Sequence, residues 1–339
     1  MKARLMAMAL LFAGLAKAQQ QPQYTQYIIN NYILNPAISG IENYTDVKLS
    51  HRHQWVGIQD APVTTYLTVH MPIGKKDDRQ TSTSFSTPGE NPRGRNFMQD
   101  YEAAKPHHGI GLKLLNDRTG PLNHFAGYLS YAYHIGISKQ TSIAAGFEAG
   151  LRSISLDRNK LDFGSSNPID PAVYNSGQIN TIKPDFGAGV WVYSPRFFAG
   201  LSAQQIIPQS VYFSANTVKQ QTGKLVPHLF ATAGYRFMVT DDISMTPSVM
   251  LKYVQPLPVQ FDINAKFQYL DLLWVGAGYR FKDGFNAMAG LNVSSLFNVS
   301  YSYDYTTSAL STLTKGTHEI ILGFLLGNRY GDWCPRNVW

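Results

Sequence analysis

Apolar and polar positions alternate along most of this chain. "VQFDINAKFQY" (Val259–Tyr269) sets Val, Phe, Ile, Ala, Phe and Tyr on one face and Gln, Asp, Asn, Lys and Gln on the other. "FNVSYSYDY" (Phe297–Tyr305) repeats the pattern, and "ISMTPSVMLKY" (Ile243–Tyr253) and "FNAMAGLNV" (Phe285–Val293) keep the same period of two. Such a period belongs to a strand whose two faces meet different surroundings. A soluble sandwich also alternates. Repetition along nearly the whole chain, with Tyr and Phe recurring at strand ends, points instead to a transmembrane β-barrel.

The pattern predicts an all-β, antiparallel outer-membrane barrel of about fourteen strands. They fall near 46–54, 62–71, 108–117, 122–135, 141–156, 185–193, 196–204, 227–238, 242–254, 259–269, 271–282, 284–294, 296–305 and 317–327. An even number suits a closed barrel, because closure leaves no unpaired edge in lipid. With the N-terminus periplasmic, turns after even-numbered strands face the periplasm, and most are short: "GISKQ", "SP", "TDD", "LDL". The opposite side carries the long stretches 157–184, 205–226 and 306–316, as expected for surface loops. One connection departs from this: residues 74–106, rich in Gly, Pro and Ser, follow strand two on the periplasmic side.

The chain ends and composition agree with export. Lys2 and Arg4, the apolar stretch Leu5–Ala16 and the triplet Ala16-Lys17-Ala18 read as a signal peptide over residues 1–18. Its apolar part is too short to span a bilayer, and no later run of 18 apolar residues exists. Removing it takes three cations from 29 Lys+Arg, leaving 26 against 22 Asp+Glu, a mild excess without a basic run. Nucleic acid is therefore not an expected partner. Tyr and Phe total 38 and charged residues only 15%, the composition of a lipid-embedded barrel. One cysteine, Cys334, excludes a disulfide scaffold.

The most chemical-looking stretch is "HRHQWVGIQDAP" (His51–Pro62). Alternation places Arg52 and Gln54 on the lumen face with Asp46, Lys48 and Ser50, and puts His51 and His53 on the other face with Val47 and Leu49. Histidines split from the polar face make a poor zinc set, which needs three or four ligands. Arg52 either pairs with a lumen carboxylate, Asp304 or Glu319, or is solvated in a water-filled lumen. Trp55 is expected at an aromatic girdle, and Tyr303 and Tyr305 are expected as girdle tyrosines flanking Asp304. Adjacent His318 and Glu319 point to opposite faces and cannot act as a dyad. No phosphate loop, G-x-S-x-G or Cys/His cluster occurs, so no catalytic, cofactor or metal residue is assigned.

Taken together, "YIINNYILNPAISGI" (Tyr27–Ile41), "HRHQWVGIQDAPVTT" (His51–Thr65), "SYDY" (Ser302–Tyr305) and "GTHEI" (Gly316–Ile320) resemble the PorP/SprF family. "GIGLKLLNDRTGPL", "YAYHI" and "AGYRF" fall in the family's order, and the resemblance spans essentially the whole mature chain. Arg52, Gln54, Trp55, Gly57, Ala61 and Pro62 match the family pattern, whereas His51 replaces a usual tyrosine and His53 is at a variable place. The motif therefore reads as architectural.

The resemblance implies an outer-membrane, non-enzymatic protein of type IX secretion and gliding motility in the Bacteroidota. Its implied partners are secreted adhesin-type cargo with a C-terminal sorting domain, and a periplasmic ring protein or peptidoglycan-associated lipoprotein. The alternative is a passive or hydrophobic-solute channel of the fatty-acid-transporter type, whose hatch the Asn35-Pro36-Ala37 stretch resembles. Residues 19–45, with Asn35, Pro36 and Gly40, are accordingly expected to plug the lumen of a barrel over 46–339.

Candidate contacts for secreted cargo are Leu161, Phe163 and Tyr174 in 157–184, which otherwise fold inward as a cap. In the insertion 74–106, Phe85, Phe97 and Tyr101 are candidates for a periplasmic partner; the other reading is a tolerated loop without one.

Overall fold

Alternation becomes a closed antiparallel barrel in the computed structural model, which describes residues 22–75, 101–157, 160, 180–211, 223–270 and 272–328. Fourteen strands form the wall. They are β1 Thr45–His53, β2 Val63–Ile73, β3 His107–Thr119, β4 Leu122–Gly136, β5 Ser142–Leu156, β6 Asn180–Tyr193 and β7 Phe197–Gln204. The second half is β8 His228–Tyr235, β9 Ile243–Val254, β10 Gln260–Tyr269, β11 Leu273–Arg280, β12 Gly284–Asn292, β13 Phe297–Thr306 and β14 Thr317–Leu326. Each strand pairs with its sequence neighbours, and β1 pairs with β14, with Thr45 opposite Leu326 and His53 opposite His318. That last ladder seals the cylinder. β8 breaks at Arg236 and resumes over Phe237–Met238, beside the stretch of β9 where Pro247 has no N–H to offer.

The two faces are chemically opposite. On β1 the buried positions are Asp46, Lys48, Ser50 and Arg52, while Leu49 faces out. Phe125, Leu129, Phe147, Leu151, Leu201, Ile263, Val275, Phe285 and Ile320 are likewise exposed on the outside. An apolar exterior around a polar, side-chain-filled interior is the solution that lipid imposes on a spanning sheet.

Short turns after β4, β6, β8, β10 and β12 lie at one end, here called the lower end. The connections after β5, β7 and β13 lie at the upper end. Short turns face the periplasm in such barrels, so the upper end is the cell surface. The loop after β2 is the long connection of the lower end.

One strand starts earlier than the alternation predicts. β6 begins at Asn180 rather than 185, shortening the loop assigned to 157–184. Pro184 lies inside this strand. β6 pairs with β5 from Asn180 onward but with β7 only from Ala188, so the missing N–H of Pro184 costs no ladder bond. As a result the upper part of the β5–β6 hairpin rises as a ribbon above the β6–β7 seam. Beside it a short pair, Gln209–Val211 with Gly223–Leu225, brings Leu225 onto inward-facing Ile154.

Residues 22–44 lie within the barrel and carry three short 3-10 turns, Gln26–Ile28, Asn31–Ile33 and Pro36–Ile38. Tyr24, Tyr27, Ile28, Ile33 and Leu34 pack on Tyr66, Leu115, Phe230, Trp274 and Ile321, which come from strands all around the wall. A second cluster joins Tyr32, Ala37, Ile38 and Ile41 to Trp191, Tyr193 and Phe198. The assigned signal peptide, Leu161, Phe163, Tyr174, Phe85 and Phe97 lie outside the described residues.

Candidate functional site

The site is the contact between the 22–44 segment and the inner wall, and it changes character from top to bottom. At the upper end Arg52 is 2% exposed and sits between two carboxylates. Its Nη2 is 2.7 Å from Asp304 Oδ2 and its Nη1 is 3.0 Å from Glu319 Oε2. Both carboxylates also hold the segment: Thr25 Oγ1 donates to Asp304 at 2.6 Å and Thr25 N–H to Glu319 at 3.1 Å. Arg52 donates in turn to Thr25 Oγ1 at 2.8 Å, and Gln26 Nε2 to the Glu319 carbonyl at 3.0 Å. Next to them Arg280 pairs with Asp262 at 3.0 Å and donates to Gln23 Oε1 at 3.2 Å. Buried charges at these distances are strongly coupled, and removing one member strands the rest.

In the middle the contacts are mostly neutral, with Lys113 Nζ on the Ile33 carbonyl at 3.4 Å as the charged one. Asn264 donates to Tyr27 OH at 2.6 Å, Asn30 to Thr68 Oγ1 at 2.9 Å, and the Tyr32 and Ser130 hydroxyls lie 2.6 Å apart. The Ile33 and Leu34 carbonyls accept from Gln204 Nε2 at 2.9 and 3.0 Å. Three cations of the surrounding wall pair with wall carboxylates: Lys113 with Glu148, Lys48 with Asp46, and Arg152 with Asp185 at 3.3 Å. Two cavities between segment and wall measure about 20 Å³ each, room for roughly one water.

At the lower end backbone and shape take over. Asn35 accepts from its own Ala37 N–H at 3.0 Å, with Pro36 opening the turn. Its Nδ2 reaches the Val190 and Leu201 carbonyls at 3.0 and 3.2 Å, one on each of two paired strands. Gly40 has φ +76°, and a Cβ there would lie 2.5 Å from Gly109 Cα. A Cβ on Gly109 would lie 1.7 Å from the Ser39 carbonyl oxygen. Only glycines allow this approach.

The "HRHQWVGIQDAP" stretch turns out to staple loops. Gln54 N–H donates to Pro62 O at 2.9 Å, closing the β1–β2 loop, while Val56 N–H donates to Gly316 O at 2.8 Å and Lys315 N–H to Val56 O at 2.7 Å. Trp55 is half-buried at φ +50°, with its N–H on Thr317 Oγ1 at 3.1 Å, and Gly57 has φ +102°. Trp55 therefore sits in a left-handed turn of the loop. Ala61 and Pro62 are half-buried at the entry to β2.

His51 faces outward and contacts Thr65 Oγ1 at 2.9 Å; His53 is exposed. His318 also faces out, 2.7 Å from Tyr301 OH, while Glu319 is fully buried. Tyr305 is exposed outside and Asp304 buried inside. Among the described residues no group of three or more His, Cys, Asp or Glu could hold a metal ion.

Tyr101 corrects an expectation. It is 2% exposed and packs on Met238 rather than standing out as a contact for a partner. The ring finds apolar cover at the lower rim, which outweighs the polar character of the sequence around it. The reading of the sequence also missed Arg280, Asp262, His70, His107 and His134. Their signal was the polar phase of alternation, legible strand by strand, but not the fact that they converge.

The family model described as "Type IX secretion system membrane protein PorP/SprF" matches residues 16–324. No curated protein matches the chain. Among solved structures, the toluene transporter TbuX of Ralstonia pickettii is similar at 8% identity, TM-score 0.49, covering 88% of this chain and 92% of that one. The monoaromatic hydrocarbon channel CymD is similar at 11% identity, TM-score 0.47, with 93% and 96% covered. The outer-membrane protein Omp33 of Acinetobacter baumannii is similar at 7% identity, TM-score 0.43, with 85% and 100% covered. Matched over nearly its whole length, and folded as a closed barrel with an apolar exterior, this outer-membrane chain belongs to the PorP/SprF family of type IX secretion system membrane proteins.

Proposed function

We propose that the protein is a plugged, non-enzymatic outer-membrane partner of type IX secretion. In this reading it assists export or surface attachment of secreted cargo and does not pass solutes. The observation that carries this reading is the 22–44 segment, which occupies the lumen from Arg52 at the top to Gly109 at the bottom. The two cavities between the segment and the described wall hold about 20 Å³ each, which supports a filled lumen. The upward-projecting β5–β6 ribbon, with Ile182 61% exposed, offers cargo a surface above the membrane. Adhesin-type cargo with a C-terminal sorting domain fits the family; a periplasmic ring protein or peptidoglycan-associated lipoprotein fits the lower end.

The test is electrical. The full chain in a planar bilayer should give no steady conductance, and a variant lacking residues 22–40 should give a large one. Steady conductance from the intact chain would support the hydrophobic-solute channel instead. Affinity purification from native membranes, with mass spectrometry of co-purifying chains, identifies the cargo.

A further inference from the structure

Arg52, Lys48, Lys113, Arg152 and Arg280 each pair with a carboxylate of the wall. Lys252, near the upper end of β9, does not. It is 5% exposed, and among the described residues its ammonium has neither a carboxylate at ion-pair distance nor a hydrogen-bond acceptor. The face of the Phe230 ring, with its centroid 5.9 Å from Nζ, offers partial compensation on one side. A buried ammonium without a counter-charge is otherwise costly.

Lys252 lines a cavity of about 20 Å³ between the wall and the start of the lumen segment. Leu34, Phe230 and Met250 give this cavity apolar sides, and Gln23, Gln260 and the Arg280–Asp262 pair give it polar ones. Asp262 is the one carboxylate of the lining, and it is committed to Arg280 at 3.0 Å. The lining therefore carries two cations and one anion. Two carboxamides can turn N–H groups toward the same space. Gln260 stands directly across the ladder from Lys252, and its side chain makes no hydrogen bond among the described residues. Gln23 Oε1 already accepts from Arg280 at 3.2 Å, which leaves Gln23 Nε2 to donate.

We propose that this cavity is a halide site that takes chloride: the Lys252 ammonium supplies the charge, and the Gln23 and Gln260 amides supply N–H donors. Volume sets the class of ligand. The cavity has room for about one water, and chloride is only slightly larger, whereas a carboxylate or a phosphate needs far more space. Charge decides between chloride and water, because the excess cation of the lining is buried where compensation counts most. Gln23 belongs to the segment and Lys252 to the wall, so a bound chloride ties the two together beside the Arg52 cluster. Nothing in the site depends on the secretion role.

The experiment compares two salts and locates the ion. The full chain is unfolded by heat in sodium chloride and in sodium gluconate at equal ionic strength, gluconate being too large for the cavity. Its crystals are soaked in sodium bromide for anomalous scattering. Chloride should raise the unfolding midpoint by about 3 °C over gluconate, as a ligand of the folded chain does, and bromide density should lie against Lys252 Nζ. Lys252→Met keeps the length of the side chain among Leu34, Phe230 and Met250 and orphans no paired carboxylate. It should unfold at the same temperature in both salts and show no bromide there. Equal midpoints for the native chain overturn the site even where bromide appears, because binding at crystal concentration only is not a site. So does a chloride effect that survives in Lys252→Met, or bromide density confined elsewhere. Should Lys252→Met fail to assemble, the two measurements on the native chain decide the matter.

Discussion

The two ends of the lumen segment are held by different physics. At the top, Thr25 and Gln26 join a buried charge cluster of Arg52, Asp304 and Glu319, with Arg280 and Asp262 beside it. At the bottom, Ser39 to Ile41 are held by imidazoles, an ammonium on a carbonyl, and glycines that let backbone touch backbone. A buried charge cluster stands or falls as a unit, because each member is ruinously placed without the others. Contacts to backbone carbonyls can be lost one at a time at modest cost. The upper end is therefore an anchor and the lower end a releasable contact.

The largest effect should come from Arg52→Ala, which leaves buried Glu319 without a counter-charge and Asp304 with only Arg280, 4.0 Å away. Loss of roughly 3–5 kcal/mol is expected for breaking such a cluster, read as a fall in folded yield on a heat-modifiability gel. Replacing all three charges together (Arg52→Met, Asp304→Asn, Glu319→Gln) should recover much of that yield. If the triple variant is as poor as the single one, the anchor is not electrostatic.

Gly109→Ala attacks the lower end by shape. Its Cβ would meet Ser39 O at 1.7 Å, and overpacking of this kind costs roughly 1–3 kcal/mol. The barrel should still assemble, but protease should cut the 36–44 region while sparing 24–33. Asn35→Ala should be milder, about 1–2 kcal/mol for its lost bonds, and urea titration would detect it as a lower midpoint with the same slope. Least of all, His51→Ala and His53→Ala should stay within about 0.5 kcal/mol of the parent. A large shift from either histidine would return the outer face of β1 to the search for a site.

Much of this comparison was legible in the sequence on its upper side. Alternation put Arg52, Asp304 and Glu319 on one face of three strands, which named the carboxylates Arg52 could reach and left solvation in an open lumen as the other reading. The lower side was not legible. His70, His107 and His134 each stand alone in a different strand, and only the stagger of β2, β3 and β4 brings them onto Ser39 and Gly40. Gly109 and Gly111 share the inward face of β3, but what they make room for is a segment 70 residues earlier in the chain. The early start of β6 was hidden for a related reason: whether a proline such as Pro184 fits a strand depends on whether a neighbour waits for its N–H.

Arg52 and Glu319 face one another across the ladder between β1 and β14, and both meet at Thr25. The first and last strands of the wall are thus brought together over a strip of the same chain that carries contacts for each. A slip of one residue along this ladder would turn Arg52 toward the hydrocarbon, and a slip of two would leave it facing the wrong partner. Either error takes Arg52 from Thr25 and leaves Thr25 held only by Asp304 and Glu319. The segment in the lumen is therefore a gauge for sealing: its full set of contacts at Thr25 forms only where β1 and β14 have met in correct register.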